Sequence, residues 1–329
     1  MLVARAPLRI SLAGGGSDLP SFYRNDFGQV FSFAINKHVY IACHELFSGG
    51  IRLSYSKTEN IKSIMDIEHP LIRESMKALK FNESIELGSF ADIPGTGTGL
   101  GSSSAFTVAL VAVLSEFKKL KIDSKLLATT ASHIEIDMCL EPIGKQDQFA
   151  SAYGGINHFI FHANEDVSVN KYYDPETANF LEQSIALYYL GAGRSASDIL
   201  SSQNKSMIEG RIEHDSVKKI RDRVPDIINS VISQDISMMA KLINESWDDK
   251  KKLQTKISNF EIENSIKMAF EAGAIAAKVI GAGGGGFLML VVDPDKRKDF
   301  LGKFLSLRNL PFEISKNGAS IVYSDERIV

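Results

Sequence analysis

Residues 94–104 read PGTGTGLGSSS and run straight into the apolar stretch Ala105–Leu120. No regular element continues through glycine at every second position. Such backbone can take left-handed angles and approach a ligand closely. The preceding stretch Ser84–Ala91 reads as a strand, and Ala105–Leu120 carries helical apolar spacing. The unit is therefore strand, glycine loop, helix. Its successive backbone N–H groups form a concave donor array, and the helix N-terminus adds roughly half a positive charge. Ser102, Ser103 and Ser104 add hydroxyls for phosphate oxygens or a divalent metal ion. A nucleoside triphosphate needs such a site, whereas a simple serine-capped helix needs one serine and no glycine ladder.

Two further glycine clusters stand at Gly14-Gly15-Gly16 and at Gly281-Ala282-Gly283-Gly284-Gly285-Gly286. Two familiar phosphate motifs are excluded. A Walker A loop ends in Gly-Lys-Ser/Thr, and here Ser102 follows Gly101. The pattern G-x-G-x-x-G occurs at Gly281, Gly283 and Gly286, but the strand-like FLMLVV follows where a dinucleotide fold places a helix.

The chain's 329 residues suffice for one large or two ordinary domains. With 44% hydrophobic and 23% charged residues, it has the composition of a soluble globular protein. A formal net charge of -3 gives no bulk attraction to nucleic acid or anionic membrane, so an anionic ligand must be held by a local site. Neither a nucleic-acid nor a membrane partner is expected. Cys43 and Cys139 form no CxxC, which fits a reducing compartment. The N-terminus lacks an apolar core of signal-peptide length. The longest apolar run, residues 105–114, falls short of the roughly 20 residues a membrane span takes. The expected location is the cytoplasm.

Strands are expected over Val30–His44, Ile156–Phe161, Ser184–Leu190, Ala276–Ile280 and Phe287–Val292. Helices are expected over Ser124–Leu140 with Ser124 as N-cap, over a broken stretch Ser195–Ile257, and over Ile262–Ala272. Strands and helices alternate without βαβ regularity, so the fold class is α+β. A boundary before the SIALYYL strand divides the chain into residues 1–182 and 183–329. His158 and His162 lie four apart on a segment that reads as strand, not on the helix such a spacing would need for zinc, which argues against metal binding. The run Asp248-Asp249-Lys250-Lys251-Lys252 reads as a solvated helix face. Residues 190–200 (LGAGRSASDIL) place Arg194 at a helix mouth capped by Ser195, a competent anion site.

Three segments, PLRISLAGGGSDLP (7–20), PGTGTGLGSSSA (94–105) and KVIGAGGGGFLML (278–290), resemble the three signature motifs of the GHMP kinases. The family is named for galactokinase, homoserine kinase, mevalonate kinase and phosphomevalonate kinase. The motifs occur in family order and span nearly the whole chain. The resemblance implies a two-domain fold, with an N-terminal domain like the second domain of ribosomal protein S5 and a ferredoxin-like C-terminal domain. The site would lie between them.

The form of the first motif is similar to anomeric sugar kinases of the heptose and fucose type. Galactokinase has a Glu-His pair where Gly15-Gly16 stand. The implied reaction is ATP- and Mg2+-dependent phosphorylation of the C1 hydroxyl of D-glycero-D-manno-heptose 7-phosphate, on the route to GDP-heptose. Another GHMP sugar kinase, of the fucokinase or galactokinase type, or a non-catalytic sugar sensor, is the alternative.

By the same resemblance Asp147, in GKQDQF, is the catalytic acid–base and Arg9 its cationic partner. Gly97, Gly99, Leu100, Gly101 and Ser102–Ser104 would bind the nucleotide. Ser103 and Glu135 would hold Mg2+. Gly15, Gly16, Ser17, Asp18, Gly283 and Gly284 would bind the acceptor, with Arg194 on its phosphate.

Overall fold

The computed structural model describes residues 1–93, 97–191, 211–253 and 257–325. The chain opens with β1 (Leu2–Ala13), a one-turn helix α1 (Pro20–Tyr23) and the 18-residue β2 (Gly28–Glu45). Then come β3 (Ile51–Ser54), β4 (Thr58–Ile61), α2 (Pro70–Ala78), β5 (Ile85–Ala91) and α3 (Ser102–Phe117). Helix α4 (Ser124–Ser132), α5 (Gln146–Tyr153), β6 (Ile156–Phe161) and β7 (Val167–Lys171) complete the first half.

These strands form one sheet in the order β4-β3-β5-β2-β1, with β6 and β7 joined to the other end of β2. β2 holds the sheet together. Its residues 28–33 pair with β6, and residues 39–45 pair with β5. The β1–β2 register shifts between Pro7 and Leu8, opposite residues 36–37 of β2. A proline without an N–H is tolerated at such an irregularity.

Helix α3 lies across β1 and β2 and is flanked by α2, α4 and α5. It carries apolar residues on every side and is buried almost throughout, as an all-apolar helix in a large core must be.

Helix α6 (Pro175–Ser184) runs directly into β8 (Ile185–Gly191), which opens a second sheet. From residue 211 the chain forms three helices, α7 (Arg211–Asp222), α8 (Val224–Ile232) and α9 (Ile236–Lys251). Then follow α10 (Phe260–Ala272), β9 (Ala276–Val279), β10 (Gly286–Val291), α11 (Arg297–Lys303) and β11 (Arg308–Asn309). The second sheet has the order β11-β8-β10-β9. The last strand, β12 (Ser320–Ser324), returns to the first sheet and pairs antiparallel with β1.

Two sequence expectations change in detail. The N-cap of α4 is Asp123, whose side chain accepts from the Leu126 N–H at 2.7 Å, one residue earlier than expected. Asp123 has the extended backbone of a capping residue, with φ of -89° and ψ of 173°, whereas Ser124 is already the first helical residue. The helix expected through Leu140 instead widens after Ser132 into a π-turn over His133–Met138. There the Cys139 N–H reaches the Ile134 carbonyl, five residues back.

Candidate active site

The glycine loop takes the left-handed angles its composition allows. Gly97, Gly99 and Gly101 have φ of 71°, 74° and 77°. Gly101 occupies the N-cap of α3 and no side chain caps that helix, so its first N–H groups face the cleft for a ligand. Ser102, Ser103 and Ser104 line the cleft beside them. Leu100 is buried instead; its carbonyl accepts from the backbone N–H of Arg9 at 3.0 Å.

The third glycine cluster is shaped largely by the second. A Cβ on Gly281 would lie 2.5 Å from the Gly99 Cα, and one on Gly286 2.5 Å from the Thr98 carbonyl oxygen. The two loops therefore pack backbone against backbone, which only glycine permits. Gly283 lines the cleft. Gly284 does not; its N–H is spent on the Ile257 carbonyl at 2.9 Å.

The first cluster turns β1 toward the cleft and presents Gly15, Gly16 and Asp18 to it. Ser17 turns the other way. Its fully buried hydroxyl donates to the Gly14 and Gln29 carbonyls and accepts from the Gln29 N–H, so it shapes the turn instead of meeting a ligand.

Arg9 and Asp147 meet between these loops. The Arg9 Nε donates to Asp147 Oδ1 at 2.7 Å, and Nη2 lies 2.6 Å from the same oxygen. Nη1 donates to the Gly99 carbonyl at 2.6 Å, which ties the pair to the glycine loop. Asp147 is on the first turn of α5 and Arg9 in the middle of β1, so 138 residues of chain are bridged. No hydrogen bond occupies Asp147 Oδ2 among the described residues.

Asp18 is buried, and its Oδ1 accepts from the Gly16 N–H at 3.0 Å and from Gln146 Nε2 at 3.1 Å. Burial, then the nearby Asp147 carboxylate, raise its pKa above the ordinary carboxylate range. A Cβ on Gly144 would lie 1.9 Å from Asp18 Oδ2, so the GKQDQF segment needs its glycine to admit this carboxylate.

Glu135 sits in the π-turn behind α3 and is fully buried. Its Oε2 accepts from Ser104 at 2.7 Å and from Gln148, and Oε1 accepts from Thr107 at 2.9 Å. Ser103 Oγ is 3.5 Å from Oε1. Burial pushes the Glu135 carboxyl up to about 7 against these donors. Ser103 faces the cleft and Glu135 stands behind it.

Three cleft residues escaped the sequence analysis. Lys250 belongs to the run expected to be a solvated face. Instead it lines the cleft and donates to the Gly281 carbonyl, while Asp249 beside it is buried against Arg223 at 2.6 Å. Lys278 donates to the Ser11 and Leu12 carbonyls at 3.0 and 3.1 Å. Trp247 forms part of the same wall. A signal was present: Met239, Ile243, Trp247 and Lys250 follow a helical stripe, and a lysine on the buried strand β9 demands a partner. Arg194, with Gly95, lies outside the described residues.

These groups enclose a cleft of about 370 Å³, sized for a small polar metabolite. No helix among the described residues is long and apolar enough to cross a membrane.

The model of the GHMP kinases N terminal domain matches residues 70–155, and that of the GHMP kinases C terminal domain matches residues 227–306. Together they cover half of the chain. A D-glycero-alpha-D-manno-heptose 7-phosphate kinase of Campylobacter jejuni is 28% identical over 310 residues, covering 90% of this chain and 91% of that protein. A galactokinase of Pyrococcus furiosus is 26% identical, covering 65% and 68%. The crystal structure of a D-glycero-D-manno-heptose 1-phosphate kinase from Bacteroides thetaiotaomicron superposes with a TM-score of 0.81 at 26% identity, covering 98% of this chain and all of that one. The α+β architecture expected from the sequence is thus the GHMP kinase fold, and the chain belongs to the GHMP kinase family of phosphotransferases.

Proposed function

We propose that the protein uses ATP to phosphorylate the anomeric C1 hydroxyl of D-glycero-D-manno-heptose 7-phosphate. The observation that carries the reading is the Arg9–Asp147 pair, anchored by the Gly99 carbonyl to the loop that opens α3. Donor and acceptor sites meet at that pair. In this reading the N–H groups at the start of α3, with Ser102–Ser104, hold the nucleotide phosphates. Asp147 Oδ1 is committed to Arg9, and Oδ2 takes the proton of the C1 hydroxyl. The hydroxyl oxygen attacks the terminal phosphorus, the bond to the bridging oxygen breaks, and ADP leaves. The Arg9 guanidinium neutralises charge on the attacking oxygen. Asp18, with Gly15 and Gly16, orients the ring hydroxyls, and Arg194 serves the acceptor phosphate.

Ser103 and Glu135 would be the residues to hold Mg2+, which takes few protein ligands beside phosphate and water, with Glu135 exchanging a hydrogen bond from Ser104 or Thr107 for the ion. When bound, the ion supplies further neutralisation of the phosphates. A non-catalytic sensor would have no use for a partly buried ion pair at the junction of both sites.

The two heptose kinases above differ in the phosphate position their names carry. The test is ADP release with heptose 7-phosphate, heptose 1-phosphate, heptose, fucose and galactose, followed by NMR of the product's anomeric carbon. Turnover of heptose 7-phosphate to a 1,7-bisphosphate is expected. Preference for an unphosphorylated sugar, or ATP binding without ADP release, would overturn the proposal.

A further inference from the structure

Lys250 and Lys278 have no part in the chemistry above, yet both ammonium groups are enclosed by the cleft wall. An ammonium has three donors. Lys278 spends two on backbone carbonyls, and Lys250 spends one on the Gly281 carbonyl. Burial, and then the neighbouring Arg9, push Lys250 down to about 8. Burial, Lys250 and Arg9 push Lys278 down to about 7. The cleft thus holds three basic side chains close enough to disfavour one another's charge, and among the described residues only Arg9 of the three has a carboxylate at bonding distance. Asp18 favours the Lys250 charge from farther off.

A second observation lies on the same wall. Trp247, one helical turn before Lys250, is 4% exposed and lines the cleft. Its Nε1 is buried with no hydrogen-bond partner among the described residues. An indole N–H can only donate. Among the described residues this wall therefore presents donors beyond the carbonyls they reach, with no carboxylate at bonding distance of either lysine. A neutral hydroxyl would satisfy one donor but leave the cations uncompensated. A phosphate supplies both acceptor oxygens and charge.

We propose that Lys250, supported by Lys278, forms an anion subsite that binds a phosphate group of a bound substrate, on the wall built by α9 and β9. The proposal rests on the kinase reading, in which two phosphates enter this cleft: the acceptor's own and the terminal one of the nucleotide.

Calorimetric titration of the full chain with ATP, heptose 7-phosphate, free heptose and inorganic phosphate separates these sources. Lys250→Gln keeps a donor for the Gly281 carbonyl but removes the charge. It should bind one phosphate-bearing ligand about tenfold or more weakly, with free heptose unchanged. Lys250→Arg should recover most of the loss. Weakening confined to heptose 7-phosphate assigns the subsite to the acceptor, and weakening confined to ATP assigns it to the nucleotide.

Wild-type affinity of the Gln variant for all three phosphate-bearing ligands would overturn the proposal, as would equal weakening for free heptose. If the wild type ignores heptose and its phosphate, the acceptor reading fails, while ATP and inorganic phosphate still decide Lys250. In the wild-type chain, the bound phosphate-bearing ligand should also shield Lys250 from acetylation mapped by mass spectrometry. Unchanged labelling with every ligand counts against the subsite.

Discussion

Asp147 shows how much chemistry one side chain can draw from its neighbours. Arg9 holds one of its oxygens and a glycine leaves room for the other. A Cβ on Gly101 would stand 3.1 Å from Oδ2, at a φ of 77° that disfavours any other residue. Asp147→Asn keeps the shape and removes the proton acceptor. It should lower kcat by about 10²–10⁴-fold with little change in nucleotide affinity. A kcat within tenfold of wild type in an ADP-release assay would remove Asp147 from the chemistry.

Glu135 makes a different prediction, about stability. Burial holds its carboxyl at about 7, above the ordinary 4.5, so the folded state favours the protonated form. That contribution is complete below pH 4.5 and is lost as pH rises through about 7. Glu135→Gln removes the titration. In metal-free buffer its melting temperature should gain on the wild type by a few degrees between pH 5 and pH 8. A constant difference across that range in scanning calorimetry would contradict the assignment.

Arg9, Asp18 and Asp147 could be singled out in the sequence only through the resemblance of their segments to the GHMP motifs, since Arg5 is as basic as Arg9 and local composition does not separate them. Lys250 was not. Five consecutive charges look like a solvated face, and only the rotation of α9 against β9 turns two of them inward.

At the scale of elements, the cleft wall depends on how α9 is docked. Asn244 Nδ2 donates to the Ile275 carbonyl at 3.0 Å, and its Oδ1 accepts from the Ala277 N–H at 3.2 Å. One side chain thus ties the helix to the edge of β9, in register with Trp247 and Lys250. Asn244→Ala should cost about 1–2 kcal/mol in urea unfolding. It should also raise acceptor KM more than ATP KM. An unaltered KM ratio would show that α9 keeps its place without this tie.

A second clamp sets α5. Glu165 takes donors from Tyr23 at 2.7 Å, Arg24 at 2.6 Å and Lys145, two residues before Asp147. Element existence was readable from apolar periodicity, as with β6, whose expected bounds match those observed. Element ends were less so. The π-turn that carries Glu135 has no marker in local composition, because its register depends on packing against α2 and α3.

The whole molecule closes on itself through its last strand. β12 pairs with β1, and Ile314 bridges Ile35 just before it, so the strand that carries Arg9 has neighbours on both sides. Truncation before Ile314 would uncover the Leu2–Arg5 edge of β1. The shortened chain should melt several degrees lower and aggregate on size-exclusion chromatography, whereas an unchanged profile would make the strand dispensable. The sequence by itself determined the three glycine clusters, the phosphate-competent loop before α3 and the α+β class, because these depend on local backbone freedom and short-range pattern, while the candidate acid–base pair came from the resemblance of its segments to the family motifs. Only the tertiary structure decided that the third cluster is packed against the second, that Ser17 and Gly284 turn away from the cleft, and that Lys250, Lys278 and Trp247 enter it. Those outcomes depend on close approach between segments that no local pattern pairs, from Ser17 and Gln29, 12 residues apart, to Lys278 and Ser11, 267 residues apart, and on which face of a helix meets a neighbour.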